Sequence, residues 1–195
     1  MNISELLKQS EIRHNQASEI ISRLGLMEKW GQYGSPRLLG AVSMNLVWNR
    51  DIDMNIYAHA PDLKNGFAVM GEIAAIPGVN SIGFHNFINT PDQGYYWCVD
   101  YTGADGKQWK IDNWYVADNH PDAMVGENLS ARINEIITDA QRSSIIKLKY
   151  LSRKEKGIRG IDIYRAVIEG GIEDISSLME WIDEHRNNGM MYWMP

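Results

Sequence analysis

Hydrophobic and polar residues alternate with a period of two over residues 51–57. Successive side chains of a strand point to opposite faces of a sheet, so Asp51, Asp53 and Asn55 share one face. The apolar positions between them share the other face, where they can anchor the strand in a core. Two carboxylates on one strand face repel each other, and solvent or a cation must offset that repulsion. The alternation therefore predicts a strand whose polar face is a candidate for half of a metal site.

The remaining chain shows the patterns of further helices and strands. The apolar period predicts helices over residues 2–24, 63–76, 162–169 and 175–185, and over 129–151 one long helix or two joined near residues 142–144. Alternation predicts strands over residues 37–42, 51–57, 81–89, 95–101 and 107–116. Connecting segments are expected at residues 25–37, as a turn or short helix at 43–47, and as a hairpin turn at 102–106. This order predicts an α+β fold, with a core over residues 1–120 and a helical region over residues 121–195 that packs on it.

Composition is that of a folded protein. The 195 residues suit one domain or slightly more, and 44% of them are hydrophobic while 23% are charged. The net charge of −6 argues against nucleic acid as a partner, because phosphate neutralisation dominates such binding. An acidic surface instead favours a cationic substrate through its field.

Cysteine usage and hydropathy bear on location. Cys98 is the single cysteine, which rules out an internal disulfide and gives no zinc motif. We see no signal-peptide pattern, and no apolar run reaches the roughly 18 residues that span a bilayer. We therefore expect a soluble protein of the reducing cytoplasm.

Two features near the aspartate pair strengthen the metal-site interpretation. An apolar segment with one glycine, residues 38–42, precedes the pair, and a third acid, Asp112, lies in the strand-like run 109–116. This combination resembles the nucleotidyltransferase superfamily, the fold family of DNA polymerase beta and the antibiotic adenylyltransferases. The family pattern is a hydrophobic residue and Gly, then Gly or Ser, followed by Asp-x-Asp on one strand and a third acid on an adjacent strand.

The match covers roughly residues 36–116. Gly40 matches the glycine, Asp51 and Asp53 match the pair, and Asp112 matches the third acid. Ala41 stands where the family has Gly or Ser, so only its backbone N–H is available to a phosphate. Ser43 is the nearby hydroxyl that could substitute.

The resemblance implies a mixed sheet and a metal-dependent transfer of a nucleoside monophosphate from an NTP, with ATP as the first candidate. The implied acceptor is a small hydroxylated molecule, such as an antibiotic. Asp51, Asp53 and Asp112 are the implied catalytic residues and ligands of two Mg²⁺ ions, and Asp112 could also receive the proton of the acceptor. The groups expected to bind the nucleotide are Gly40, Ala41, Ser43 and Lys110, with Lys147, Lys149 and Arg153 as further cations.

Two other interpretations remain open. The chain could be a catalytically inactive module of the same fold that binds nucleotide or metal, which Ala41 favours. It could also be an unrelated α+β domain in which the three aspartates are scattered surface acids. In the first two cases the three carboxylates should meet in an open cleft.

Overall fold

A computed structural model of the chain describes residues 1–185 and 193–195. The strands are β1 (Ser35–Leu39), β2 (Asp51–Ala58), β3 (Val79–Asn86), β4 (Gly94–Thr102) and β5 (Gln108–Ala117). The first four helices are α1 (Ile3–Leu24), α2 (Leu26–Gly31), α3 (Gly40–Ser43) and α4 (Leu63–Ala74). The later ones are α5 (Val125–Ile136), α6 (Asp139–Leu151), α7 (Gly160–Gly170) and α8 (Ile175–His185), with a 3-10 turn at Ser152–Lys154.

The strands form one five-stranded mixed sheet in the order β1-β2-β5-β4-β3. Strands β2 and β5 are parallel, and the other neighbouring pairs are antiparallel. The predicted α+β class with a mixed sheet and flanking helices is confirmed. The parallel pair matters most for function, since its register sets Asp51 opposite Lys110 and Asp53 opposite Asp112.

One face of the sheet builds the main core. Ile52, Met54, Ile56 and Ile111 are completely buried there. They pack with α1, α2 and α4, whose buried side chains include Ala17, Trp30 and Ile73. Burial of such side chains contributes roughly 1.5–3 kcal/mol each. Anchored on this face, β2 and β5 present their alternate residues, the acids among them, on the opposite face.

The C-terminal helices enclose a second hydrophobic cluster. Its members come from α5 to α8, from Leu6 of α1, and from Met44, Leu46 and Trp48 between β1 and β2. Trp193 also packs there, and its indole donates to Glu169. Residues 190–192 of the apolar tail lie outside the described residues. The division of the chain at residue 120 stays a prediction, although residues 44–48 tie the two clusters together.

Element boundaries differ from the predictions at several places. The connector predicted at 25–37 contains helix α2, β1 ends at Leu39 instead of residue 42, and the strand predicted at 81–89 ends at Asn86. Of the two alternatives for residues 129–151, the structure has two helices, and they meet at residues 137–138 instead of 142–144 because Thr138 and Gln141 form a capping box that starts α6. None of the described helices has both the length and the apolar character needed to cross a membrane.

Candidate active site

The three acids that the sequence singles out lie on the same face of the sheet. Asp53 and Asp112 are register partners on the parallel strands β2 and β5, and Asp51 lies two residues before Asp53 on β2. This is the face opposite the main core, so the acids are held by rigid strands and remain accessible from the other side. The interpretation of the acids as scattered surface residues is therefore not supported.

Gly40 is required beside Asp53. Its φ of +66° is unfavourable for residues with a Cβ, and a Cβ at this position would lie 2.7 Å from Asp53 Oδ2. The strand β1 ends here because the chain turns into α3 against the carboxylate. The Gly40 N–H donates to Ser130 Oγ at 3.3 Å, which ties this turn to α5.

The carboxylates of β2 carry an unfavourable concentration of negative charge. Burial raises the pKa of Asp53 to about 7, and repulsion from Asp51 and Asp112 adds to the effect. Burial also raises the pKa of Asp51, against the opposing attraction of Lys149. Within the part of the chain that the structure describes, Asp51 Oδ1 is buried and has no hydrogen-bond partner. Paired oxygen ligands whose negative charge is not fully compensated fit a hard divalent cation such as Mg²⁺.

Asp112 is held differently from the other two acids. Its Oδ1 accepts a hydrogen bond from the Tyr96 hydroxyl at 2.5 Å, and its Oδ2 accepts one from Lys110 Nζ at 3.0 Å. No three His, Cys, Asp or Glu side chains in residues 1–185 and 193–195 are gathered closely enough to hold a metal ion. Among the described residues the three carboxylates therefore share one face of the sheet without forming a metal-holding group, and both oxygens of Asp112 accept hydrogen bonds from Tyr96 and Lys110.

A cavity of about 310 Å³ opens beside the acids, between the sheet and the C-terminal helices. One wall of the cavity consists of the turn at Gly40 and Ala41 together with Asp51 and Asp53. The opposite wall is helical and polar, and includes Lys149, Arg159 and Tyr164.

Lys149 is the buried cation of this cavity. Only 7% of the residue is exposed, and its Nζ donates to the Leu46 carbonyl at 2.9 Å and to the Tyr164 hydroxyl at 2.7 Å. Its charge lowers the pKa of both Asp51 and Asp53, against the larger effect of burial. A cation fixed in this way is suited to an anionic ligand that enters the cavity.

Only some of the residues predicted to bind nucleotide line the cavity. Gly40 and Ala41 line the cavity, whereas the Ser43 hydroxyl donates to the Gly40 carbonyl at 3.0 Å. Lys110 is paired with Asp112 across the sheet face. Of the other predicted cations, Lys147 Nζ donates to the Glu173 carbonyl and Arg153 lies over the Tyr150 ring, while Lys149 lines the cavity.

Three neighbours of the acids were not identified from the sequence. Tyr96 and Cys98 of β4 are register partners of Trp114 and Asp112, so all of them share the face of the acids. The pairing of the hairpin could have identified Tyr96 and Cys98. The numbers of two paired residues in an antiparallel hairpin have a constant sum, so the even-numbered residues of β4 lie on the same face as Asp112. Tyr164 contributes from α7, and no local pattern indicates that approach.

Comparisons with known proteins place this geometry in a fold. No protein-family model matches the chain, and no curated protein matches it. Several solved structures do match. The chain is similar to the Cid1 poly(U) polymerase bound to MgATP, with a TM-score of 0.62 and 12% sequence identity. The match covers 89% of this chain and 55% of the polymerase. It is also similar to a cytoplasmic RNA terminal U-transferase, with a TM-score of 0.50 and 14% identity over 77% of this chain and 45% of the transferase.

A third neighbour is a chain of the GLD-2/RNP-8 complex, with a TM-score of 0.50 and 12% identity over 95% of this chain and 74% of that one. The chain spans about half the length of the polymerase and of the U-transferase. At such identities the likeness shows the fold, which is the nucleotidyltransferase fold. The resemblance drawn from Gly40, the aspartate pair and Asp112 is confirmed at that level.

One prediction is contradicted by these neighbours. The net charge of −6 argued against nucleic acid as a partner, yet two of the neighbours are described as a poly(U) polymerase and an RNA terminal U-transferase. Net charge describes the whole surface, whereas a bound strand meets one groove whose field is set by nearby groups such as Lys110 and Lys149. The global balance was therefore the wrong quantity to use.

Proposed function

We propose that the chain carries a metal-dependent nucleotidyltransferase site that moves a nucleoside monophosphate from an NTP to a hydroxyl group. The observation that carries this proposal is the half-buried Asp51–Asp53 pair, with one orphaned oxygen and the pKa of Asp53 raised to about 7, facing a cavity. A structural role alone does not explain two adjacent, largely desolvated carboxylates whose nearby cations, Lys149 and Lys110, do not outweigh the cost of desolvation. The nucleotidyltransferase fold supports the same conclusion.

Asp51 and Asp53 would hold Mg²⁺, and Asp112 would join them once its carboxylate exchanges Lys110 for the metal. We propose that two Mg²⁺ ions bind there. They would stabilise the charge on the attacking and leaving oxygens. Structures of the Cid1 poly(U) polymerase are described with MgATP and, in a second crystal structure, with MgGTP, which supports Mg²⁺ with an NTP, and we keep ATP as the first candidate.

The chain's own groups then have distinct tasks. The cavity receives the triphosphate, where the Lys149 ammonium faces its charge and the backbone turn at Gly40 and Ala41 forms part of the wall. The acceptor oxygen attacks the α-phosphorus, the bond from that phosphorus to the bridging oxygen breaks, and pyrophosphate leaves. Asp112 receives the proton of the attacking hydroxyl.

The acceptor is a hydroxyl at the end of an RNA or on a small molecule. The RNA-directed names of two neighbours support the first, and the resemblance to antibiotic adenylyltransferases suggests the second, for example an aminoglycoside. We place the protein in the cytoplasm, on the strength of its single cysteine and of a neighbour described as cytoplasmic.

A second candidate is an inactive nucleotide-binding module of the same fold. Ala41 in place of Gly or Ser favours it, as does the ion pair that holds Asp112 at 3.0 Å from Lys110. Such a module would bind MgATP but produce no pyrophosphate.

The test is transfer of label from each of four α-labelled NTPs, in Mg²⁺, to a short RNA and to a panel of aminoglycosides. The proposal expects labelled acceptor and released pyrophosphate with the wild-type chain and none with Asp53→Asn. Asp118→Asn, at a carboxylate with 52% of its side chain exposed, is the matched control and should keep full transfer. Nucleotide binding without any product would establish the inactive module instead.

A further inference from the structure

Aromatic rings form a continuous patch on the open face of the sheet, beside the acids. We call it the aromatic platform, and it consists of His85, Phe87, Tyr96 and Trp114. His85 and Phe87 stack at 5.7 Å between ring centroids with planes 13° apart, and Phe87 and Trp114 stack at 5.5 Å with planes 28° apart. Tyr96 and Trp114 are 4.9 Å apart and complete the patch across strands β3, β4 and β5.

Folding alone does not account for these rings. The aromatic residues on the opposite face, such as Trp30, Trp97 and Tyr115, are fully buried in the main core. The platform residues are half-buried or, for His85, exposed. Contiguous apolar surface of this kind on a folded protein marks an interaction site, and aromatic rings in it can stack on a planar ligand.

The platform adjoins the candidate active site directly. The Tyr96 hydroxyl donates to Asp112 at 2.5 Å, and Lys110 Nζ lies 6.0 Å from the Tyr96 ring centroid. Trp114 also lines a cavity of about 260 Å³ whose wall includes Asp53 and Asn55. A molecule stacked on the platform would therefore bring its neighbouring groups to the acids.

The shape of the platform selects the chemical class of the occupant. A single small ring would contact one or two of the rings, whereas the four rings, at successive centroid separations of 5.7, 5.5 and 4.9 Å, offer contacts to more than one base. Stacking of single-stranded bases on aromatic side chains of a sheet is sequence-tolerant, because every base has a π-face. Lys110 and the exposed Arg37, whose register partner Asn55 lies on this face, supply positive charge for phosphates.

We propose that the platform stacks the 3′-terminal bases of a single-stranded RNA acceptor and so places its terminal hydroxyl beside Asp112. This inference rests on the proposed function and specifies the acceptor side of the same site. Among the platform residues, Phe87 and Trp114 contribute only stacking surface, because neither side chain makes a hydrogen bond to the acids.

Equilibrium binding tests the proposal without any turnover. A 5′-labelled 15-nucleotide RNA is titrated with the wild-type chain and measured by fluorescence anisotropy, with no NTP or metal present. A second RNA of the same length lacks the two 3′-terminal bases but keeps their sugars and phosphates. Loss of stacking costs about 1–3 kcal/mol per base, so the wild type should bind the abasic RNA at least about 10-fold more weakly.

The variants are Phe87→Leu and Trp114→Leu, which keep apolar bulk but remove the flat ring. Both should bind the intact RNA about 10-fold more weakly than wild type and should distinguish it from the abasic RNA less than wild type does. The control is Trp181→Leu, at a half-buried tryptophan of α8 that stacks on His185 at 4.3 Å, and it should bind both RNAs as wild type does. Circular dichroism melts establish that each variant is folded.

The inference is overturned if the wild type does not bind RNA, or if either platform variant keeps the wild-type preference for the intact end. Transfer to an aminoglycoside without RNA binding would overturn it and leave the proposed function standing. Base-dependent RNA binding through Phe87 and Trp114, with no transfer from any NTP, would support the platform and contradict the proposed function.

Discussion

The two faces of the sheet are built from the same strands but obey different rules. On the covered face every large side chain of β2 and β5, such as Ile52 and Ile111, is completely buried and its role is packing. On the open face the same strands carry Asp51, Asp53 and Asp112, with a pKa for Asp53 that burial and repulsion raise to about 7. The covered face supplies stability, and part of that stability offsets the cost of gathering like charges on the other.

The difference teaches how to recognise the site. Each face contains buried polar atoms without a hydrogen-bond partner among the described residues, but on the covered face they are the indole nitrogens of Trp97 and Trp109, whereas on the open face the atom is a carboxylate oxygen, Asp51 Oδ1. The open face also contains aromatic rings that the core does not use. Substitutions on the covered face should change stability, and substitutions on the open face should change transfer.

The largest effect is expected for Asp53→Asn. The amide keeps the shape of the side chain but cannot replace the carboxylate as a metal ligand, so transfer should fall by about 1000-fold, roughly 4 kcal/mol. The measurement is the initial rate of label transfer in Mg²⁺, with a thermal melt to show that the fold is intact. A variant that transfers at the wild-type rate, or that unfolds, would contradict the metal role.

The counterpart on the covered face is Ile111→Ala. Ile111 is completely buried between its neighbours on β2 and β4, so the cavity should lower the free energy of unfolding by about 3 kcal/mol. Trp114→Leu on the open face should lower it by less than about 1 kcal/mol. Urea unfolding measures both, and equal losses would remove the distinction between the faces.

Gly40→Ala acts where β1 meets Asp53. The added Cβ would lie 2.7 Å from Asp53 Oδ2, so the substitution should cost about 2 kcal/mol and displace the carboxylate. Gly171→Ala is the matched control, since Gly171 also has a positive φ but open space around it. The control should lose about 1 kcal/mol of stability and no transfer. If Gly40→Ala keeps wild-type transfer, the close approach to Asp53 is not functional.

The smallest effect is a dependence of stability on pH. Because the pKa of Asp53 is raised to about 7 in the folded chain, the folded state holds a proton that the unfolded chain has already released at pH 6. Stability therefore falls as pH rises through 7, by about 1.4 kcal/mol between pH 6 and pH 8 without metal.

This pH dependence should disappear in Asp53→Asn and should be offset at pH 8 by added Mg²⁺, which binds the ionised carboxylate. Urea melts at the two pH values, with and without Mg²⁺, measure it. A wild-type chain that is more stable at pH 8 than at pH 6 would show that Asp53 does not carry the raised pKa.

Much of this arrangement could be predicted from local sequence. The alternation at residues 51–57 placed Asp51 and Asp53 on one face, and the helix and strand periods predicted most elements with small errors at their ends. The register of β2 against β5, which sets Asp53 opposite Asp112, depends on long-range pairing and could be anticipated only from the family resemblance.

The side-chain partners could not be predicted. That Lys110 and Tyr96 occupy both oxygens of Asp112 depends on rotamers across two strands, and that Lys149 reaches the cavity depends on how α6 packs. Ser43 stays a prediction as a phosphate contact; that its hydroxyl donates to the Gly40 carbonyl within its own turn could not be read from the sequence.

Metal binding tests the central claim most directly. Titration calorimetry of the chain with Mg²⁺ or Mn²⁺ at pH 8, where Asp53 is mostly ionised, should show binding to the wild type and to Asp118→Asn. The same titration at pH 6 should show weaker binding, and Asp53→Asn should show none at either pH. Equal metal binding by Asp53→Asn and the wild type would contradict the account.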